Sequence, residues 1–131
     1  MFDADSGFDV YQHTQTDARA AQASPRELVL MLMDGLLDEI ARAEGHMLGG
    51  RLEEKGRSIA KAIDIIGGLD SALDLKQGGA LAENLHQLYD YCGRQLFSAS
   101  VNNEPAHLAP VIRVLEDLRV GWLGLGSEVE A

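Results

Sequence analysis

Apolar residues recur along this chain at the spacing of helices rather than strands. The most distinctive run is Ser24-Pro25-Arg26-Glu27-Leu28-Val29-Leu30-Met31-Leu32-Met33-Asp34-Gly35-Leu36-Leu37. Ser24 can cap the free N–H groups of a first turn. Pro25 falls where a missing donor costs nothing, and Glu27, three residues after the cap, can complete a capping box. Six consecutive apolar residues, Leu28 to Met33, wrap at about 100° per residue well past a single stripe. This helix is therefore predicted to be covered on more than one side. It should run over about residues 25–47, with Val29, Met33, Leu36, Ile40, Ala43 and Met47 on one broad face and Gly49-Gly50 as its break.

A second helix is predicted over about 51–74, burying Leu52, Ile59, Ala62, Ile63, Ile66, Leu69 and Leu73. Within it, Gly67-Gly68 costs about 1 kcal/mol per glycine relative to alanine. The pair either lets another backbone approach closely or only kinks the helix. Gln77-Gly78-Gly79 ends that segment. A third helix, about 80–101, turns Leu81, Leu85, Leu88, Cys92, Leu96 and Ala99 inward. After the turn cluster Asn102-Asn103-Glu104-Pro105, a fourth helix over about 106–125 carries Leu108, Val111, Ile112, Leu115, Leu118 and Trp122. Pro110 either marks its regular start or kinks it. Residues 1–23 show no sustained period and read as a flexible arm with at most one short helical turn, and 127–131 as a tail. Four helices of about 30 Å with short connections predict an all-α, antiparallel up-and-down four-helix bundle occupying 24–126.

Composition narrows the function. A chain of 131 residues can bury one real core. A net charge of -10 repels nucleic acid and anionic membrane surfaces. No apolar run approaches the roughly 18 residues of a membrane span, and no basic-then-apolar leader is present, so a cytoplasmic protein without membrane insertion is expected. The single cysteine, Cys92, excludes an internal disulfide and fits a reducing compartment. Glu83-Asn84-Leu85-His86 and Glu104-Pro105-Ala106-His107 have the Glu-x-x-His form of bundle-type di-iron sites. However, Glu83 points nearly opposite the inward face of its helix, and the second motif straddles a turn at the end of the bundle. Cys92 reads as a buried small hydrophobe, and the Gly-Gly pairs lack the context of a phosphate loop. No catalytic residue, metal or cofactor is expected.

Once the core faces are assigned, secondary apolar stripes remain. On the second helix Ile65, Leu69 and Ala72 edge the core face. On the third, Ala82, Tyr89, Gly93 and Phe97 form another line with His86 among them, and on the fourth Val114, Leu118, Gly121 and Leu125 do the same. Such edges either pack against neighbouring helices or accept a helix from a partner. They would serve a homodimer as well as a client.

The ordered series Tyr11-Gln12, Ala23-Ser24-Pro25-Arg26-Glu27-Leu28, Asp34-Gly35-Leu36-Leu37, Ile65-Ile66-Gly67-Gly68-Leu69, Gly78-Gly79, Leu88-Tyr89-Asp90-Tyr91, Leu118-Arg119 and Trp122 resembles the flagellar secretion chaperones of the FliS family. Met33, Gln22 and Ser100 depart from that family's usual Tyr, Thr and Asn, and Gly49-Gly50 is less usual there. The resemblance implies a cytosolic, non-enzymatic export chaperone. Its client would be the C-terminal segment of flagellin, disordered when free and helical when wrapped on the bundle, so that premature polymerisation is prevented and delivery to the export gate is aided. The resemblance also implies that the arm, with Tyr11, can cover part of the binding surface. On this reading Tyr11, Ile65, Leu69, Ala72, Ala82, Tyr89, Gly93 and Phe97 contact the partner. The other reading is an adaptor bundle for a different amphipathic regulatory partner.

Overall fold

Helix α1, Pro25–Leu48, begins where its capping residues put it. Ser24 is extended (φ -69°, ψ 162°), and its Oγ accepts a hydrogen bond from the Glu27 N–H at 3.2 Å. The other end closes through Arg51. Its guanidinium folds back to donate to the Gly45 carbonyl (3.1 Å) and to His46 Nδ1 (3.0 Å), satisfying the frayed end of the helix. Gly50 takes φ +72°, the left-handed region that favours glycine, whereas a Cβ at Gly49 would meet only the guanidinium end of the Arg51 side chain.

The protein is seen here as a computed structural model that describes residues 23–130, with side chains described to residue 124. The expected arm before residue 23 and its Tyr11 lie outside the described residues. The described chain continues as α2 (Leu52–Ser71), α3 (Leu75–Asn102), a single 3-10 turn (Pro105–His107) and α4 (Leu108–Glu130). Each helix packs on the next and α4 closes back on α1, giving an all-α four-helix bundle. Long-range polar contacts set the antiparallel directions. Lys55, near the start of α2, reaches Ser100 at the end of α3, whereas Trp122 Nε1 of α4 donates to the Arg26 carbonyl of α1 at 3.1 Å.

The junction of α2 and α3 differs from expectation. Helix α2 stops at Ser71 rather than near residue 74, because Asp74 caps the next helix by accepting from the N–H groups of Lys76 (3.1 Å) and Gln77 (3.0 Å). One helical turn therefore precedes the break at Gly79 (φ 54°, ψ -131°), and the regular part of α3 follows from Ala80. Pro110 causes no kink, since it lies in the first turn of α4, where backbone donors have no intrahelical partner. Gly67-Gly68 breaks nothing: α2 runs through it, and a Cβ on either glycine would meet no atom within 4 Å, so among the described residues no other segment approaches there.

The core joins Met33, Leu36, Ile40 and Ala43 of α1 to Ile59, Ala62 and Ile66 of α2, Cys92, Leu96 and Ala99 of α3, and Leu108, Val111 and Leu115 of α4. Two residues expected inside are outside: Leu52 is 59% exposed and Leu81 62%. Leu52 opens α2 beyond the reach of its neighbours, and Leu81 follows directly on the Gly79 break. On α3 the buried series is Ala82, Tyr89, Cys92, Leu96 and Ala99. Its first half thus buries residues one position on from Leu81 and Leu88 of the predicted face, while Leu85 still packs against the core.

Two polar clasps fix α2 against α3. Lys55, almost fully buried, donates through Nζ to the Ser100 carbonyl (2.9 Å) and to Asn103 Oδ1 (3.4 Å). A cation there complements the carbonyls at the C-terminus of α3. At the other end His86 Nδ1 and Asp70 Oδ1 lie 2.7 Å apart. The hydrogen bond to Asp70 raises the His86 pKa above its ordinary value, helped by the charges of Asp70, Glu83 and Asp90.

Lys55→Met is expected to lower stability by about 1–2 kcal/mol, read as a lower urea midpoint at unchanged slope. For His86, a folded-state pKa above the unfolded one gives stability that is full below the ordinary histidine range and is lost as pH rises through the raised value. His86→Gln should therefore lower Tm clearly at about pH 6 and much less at about pH 9. An equal loss at both pH values would show that the clasp does not depend on the imidazolium.

Candidate partner-binding surface

The clasps at Lys55–Ser100 and Asp70–His86 bracket a seam of fourteen residues on α3, about 21 Å or four helical turns long. Between them the outer side of the seam is open. Ile63 on α2 and Asp90, Gly93, Arg94 and Phe97 on α3 line a shallow cleft of about 370 Å³. Helical spacing places Gly56 and Gly67 on the same side of α2 as Ile63. A Cβ built on Gly56, Gly67 or Gly93 would meet no atom within 4 Å, so this surface is lower than the chain's own packing demands. Phe97 rises from it 63% exposed. An aromatic ring left this far in water beside an apolar hollow is poorly satisfied within the chain.

The expected partner-contacting residues divide among three places. Gly93 and Phe97 line the cleft. Ala82 and Tyr89 occupy the same side of α3 but lie beneath the surface, 5% and 4% exposed, so the outward line drawn through them does not hold at their depth. Tyr89 belongs to the core cluster, and burial raises its phenol pKa above the ordinary 10.0. Ile65 sits on the opposite edge of α2, facing α1. A Cβ at Gly35 would lie 3.9 Å from Ile65 Cδ1, while Leu69 is in the core and Ala72 is the exposed C-cap residue of α2. Ile65 and Phe97 are thus on two different seams of the bundle. The α1/α2 seam is apolar too, with Leu32, three residues before Gly35, 36% exposed.

Ile63 is the cleft residue that the pattern assigned to the core. Its signal was present in the spacing of Gly56, Ile63 and Gly67, which share one side of a helix, but hydrophobicity alone ranked it with Ile59 and Ile66. The line on α4 is only partly open: Val114 and Leu118 pack against the core and Gly121 is exposed. That side of the bundle is bolted shut by Arg119, whose Nε lies 2.6 Å from Asp34 Oδ1, and by the Trp122–Arg26 hydrogen bond.

The polar motifs are engaged locally. His86 pairs with Asp70, and His107 Nε2 lies 2.7 Å from Glu104 Oε2. Among the described residues no three His, Cys, Asp or Glu side chains converge as metal ligands. Burial pushes the Cys92 thiol up to about 11, which keeps it protonated at neutral pH and suits its place in the core. Among the described residues no helix is long and apolar enough to cross a membrane.

The open part of the seam spans about two turns of α3, from Asp90 to Phe97, with Ile63 across it on α2. The family profile for flagellar protein FliS matches residues 8–129. The chain is 41% identical over 115 residues to flagellar secretion chaperone FliSB of Pseudomonas aeruginosa, covering 88% of this chain and 91% of the relative. It is 35% identical over 112 residues to flagellar secretion chaperone FliS of Vibrio cholerae, covering 86% and 82%, and 35% identical over 118 residues to that of Salmonella typhimurium, covering 89% and 87%. With a profile match over nearly its whole length and relatives of this identity, the chain belongs to the FliS family of flagellar proteins.

Proposed function

We propose that this protein is a flagellar secretion chaperone whose client is the C-terminal segment of flagellin. The single observation that carries the mode of binding is Phe97, exposed beside the glycine-floored cleft between α2 and α3. A disordered client gives up conformational entropy when it becomes helical on this surface. Its affinity must therefore come from long apolar contact rather than from a few polar bonds. The α2/α3 seam supplies one such track, and the α1/α2 seam at Leu32 and Ile65 supplies a second, on the other side of α2. A segment that wraps the bundle can use both, which suits an unfolded chain end better than a preformed globular partner.

Covering the client in this way blocks the contacts by which it would polymerise and holds it for delivery to the export gate. The protein acts by binding alone, in the cytoplasm, without catalysis, metal or cofactor. The N-terminal arm, with Tyr11, serves as an internal competitor for the same surface and lowers client affinity until displaced. A second copy of the chain is the weaker candidate for these seams, because each copy carries a net charge of -10.

Isothermal titration of the full chain with the isolated C-terminal segment of its own organism's flagellin should show one-to-one binding with a negative heat-capacity change and a gain in helicity. Phe97→Asp should weaken that binding by about tenfold or more while leaving Tm and helicity unchanged, since the ring is exposed. Tyr89→Asp, by contrast, should unfold the protein. Ile65→Asp tests the second seam by the same titration. Absence of binding by the wild-type chain, with and without residues 1–16, would overturn the proposal.

A further inference from the structure

Gly93 has no explanation among the described residues. It stands in the middle of α3, where glycine weakens a helix relative to alanine. Its φ is not positive, and a Cβ built on it would meet no atom within 4 Å. Among the described residues neither a turn nor a close approach requires it. What it does is lower the floor of the α2/α3 cleft, with Ile63 half-buried across the seam and Phe97, one turn further along α3, standing 63% exposed.

We infer that Gly93 is a specificity-determining position: its missing side chain leaves a socket between Ile63 and Phe97 for one large aliphatic or aromatic side chain of the client helix. This rests on the client-binding reading above and names the chemistry that the seam selects. The rim supports a helix from another protein. Arg94 Nε and Asp90 Oδ2, both well exposed, are 3.1 Å apart at the mouth of the cleft. An exposed pair of this kind is worth little, so each partner can be exchanged for a charge on an incoming helix. The occupant that complements the rim is an amphipathic helix with a basic residue on the Asp90 side of its apolar anchor and an acidic one on the Arg94 side. A second copy of the chain fits worse, because two copies each of net charge -10 repel.

The test is titration of full-length Gly93→Ala and Gly93→Leu with the flagellin C-terminal segment, alongside thermal unfolding of each variant. Both should keep or raise Tm, because a Cβ at this position meets no described atom within 4 Å, the cleft beyond it is open, and the helix gains from losing a glycine. Gly93→Ala should weaken binding several-fold, and Gly93→Leu by about tenfold to a hundredfold, as an overfilled socket does. Trimming the client's large apolar residues to alanine one at a time should then identify one position whose loss costs the wild type affinity but costs Gly93→Leu almost none. A folded Gly93→Leu that binds like the wild type would overturn the socket and leave the chaperone reading standing. A wild-type chain that binds no flagellin segment would overturn both. Should Gly93→Leu fail to fold, Gly93→Ala with the trimmed clients decides by the same coupling, and additive losses would count against the socket.

Discussion

The register of α2 against α3 is the constraint on which the rest of this molecule depends. It is held at its two ends by unlike contacts: a buried lysine on the terminal carbonyl of α3 and a histidine–aspartate hydrogen bond sixteen positions apart in sequence. The spacings agree, since Lys55, Ile63 and Asp70 advance along α2 as Ser100, Gly93 and His86 retreat along α3. With both ends tied, the middle of the seam need not be filled, and it is not. Small residues and one exposed aromatic ring occupy it in place of interdigitated leucines.

That arrangement divides a single helix pair into a packed side and an open side. The inward sides of α2 and α3 carry the core through Ile59, Ala62, Ile66, Cys92, Leu96 and Ala99. Their shared outward side carries almost no packing, and its glycines are tolerated because two clasps and the core have already ordered the helices. Most helical stability in proteins comes from the packed face rather than from intrinsic propensity, so exposed mid-helix glycines can be kept for what a partner needs. On the other side of the bundle the α1/α4 seam is closed by Arg119–Asp34 and Trp122–Arg26.

Helix starts and the class of fold were legible in the chain because their causes are local. Ser24-Pro25 caps and opens α1 through contacts within one turn, and the apolar spacing of α1 already marks Met33, Leu36, Ile40, Ala43 and Met47 as buried. Asp74 was equally local but was masked by Gly78-Gly79, a louder signal for a break four residues later. The rotation of α3 was not local. Leu81 and Leu88 outrank Ala82 and Tyr89 in hydrophobicity, yet Tyr89 is buried and Leu81 is not, because burial follows from where α2 and α4 lie against the helix.

The same division applies to the partner surface. Sequence by itself determined that there are four amphipathic helices, that more apolar edge exists than one core needs, and that Gly93 and Phe97 belong to one edge, since residues four apart on a helix share a side whatever surrounds them. It could not determine that Ile65 and Phe97 face different seams, that Tyr89 is floor rather than wall, or that Ile63 lines the cleft. Those facts depend on which helix stands beside which, and at what depth. Only the packing of four helices around a common axis decides that, because a periodic stripe specifies a direction on its own helix and carries no information about its neighbour.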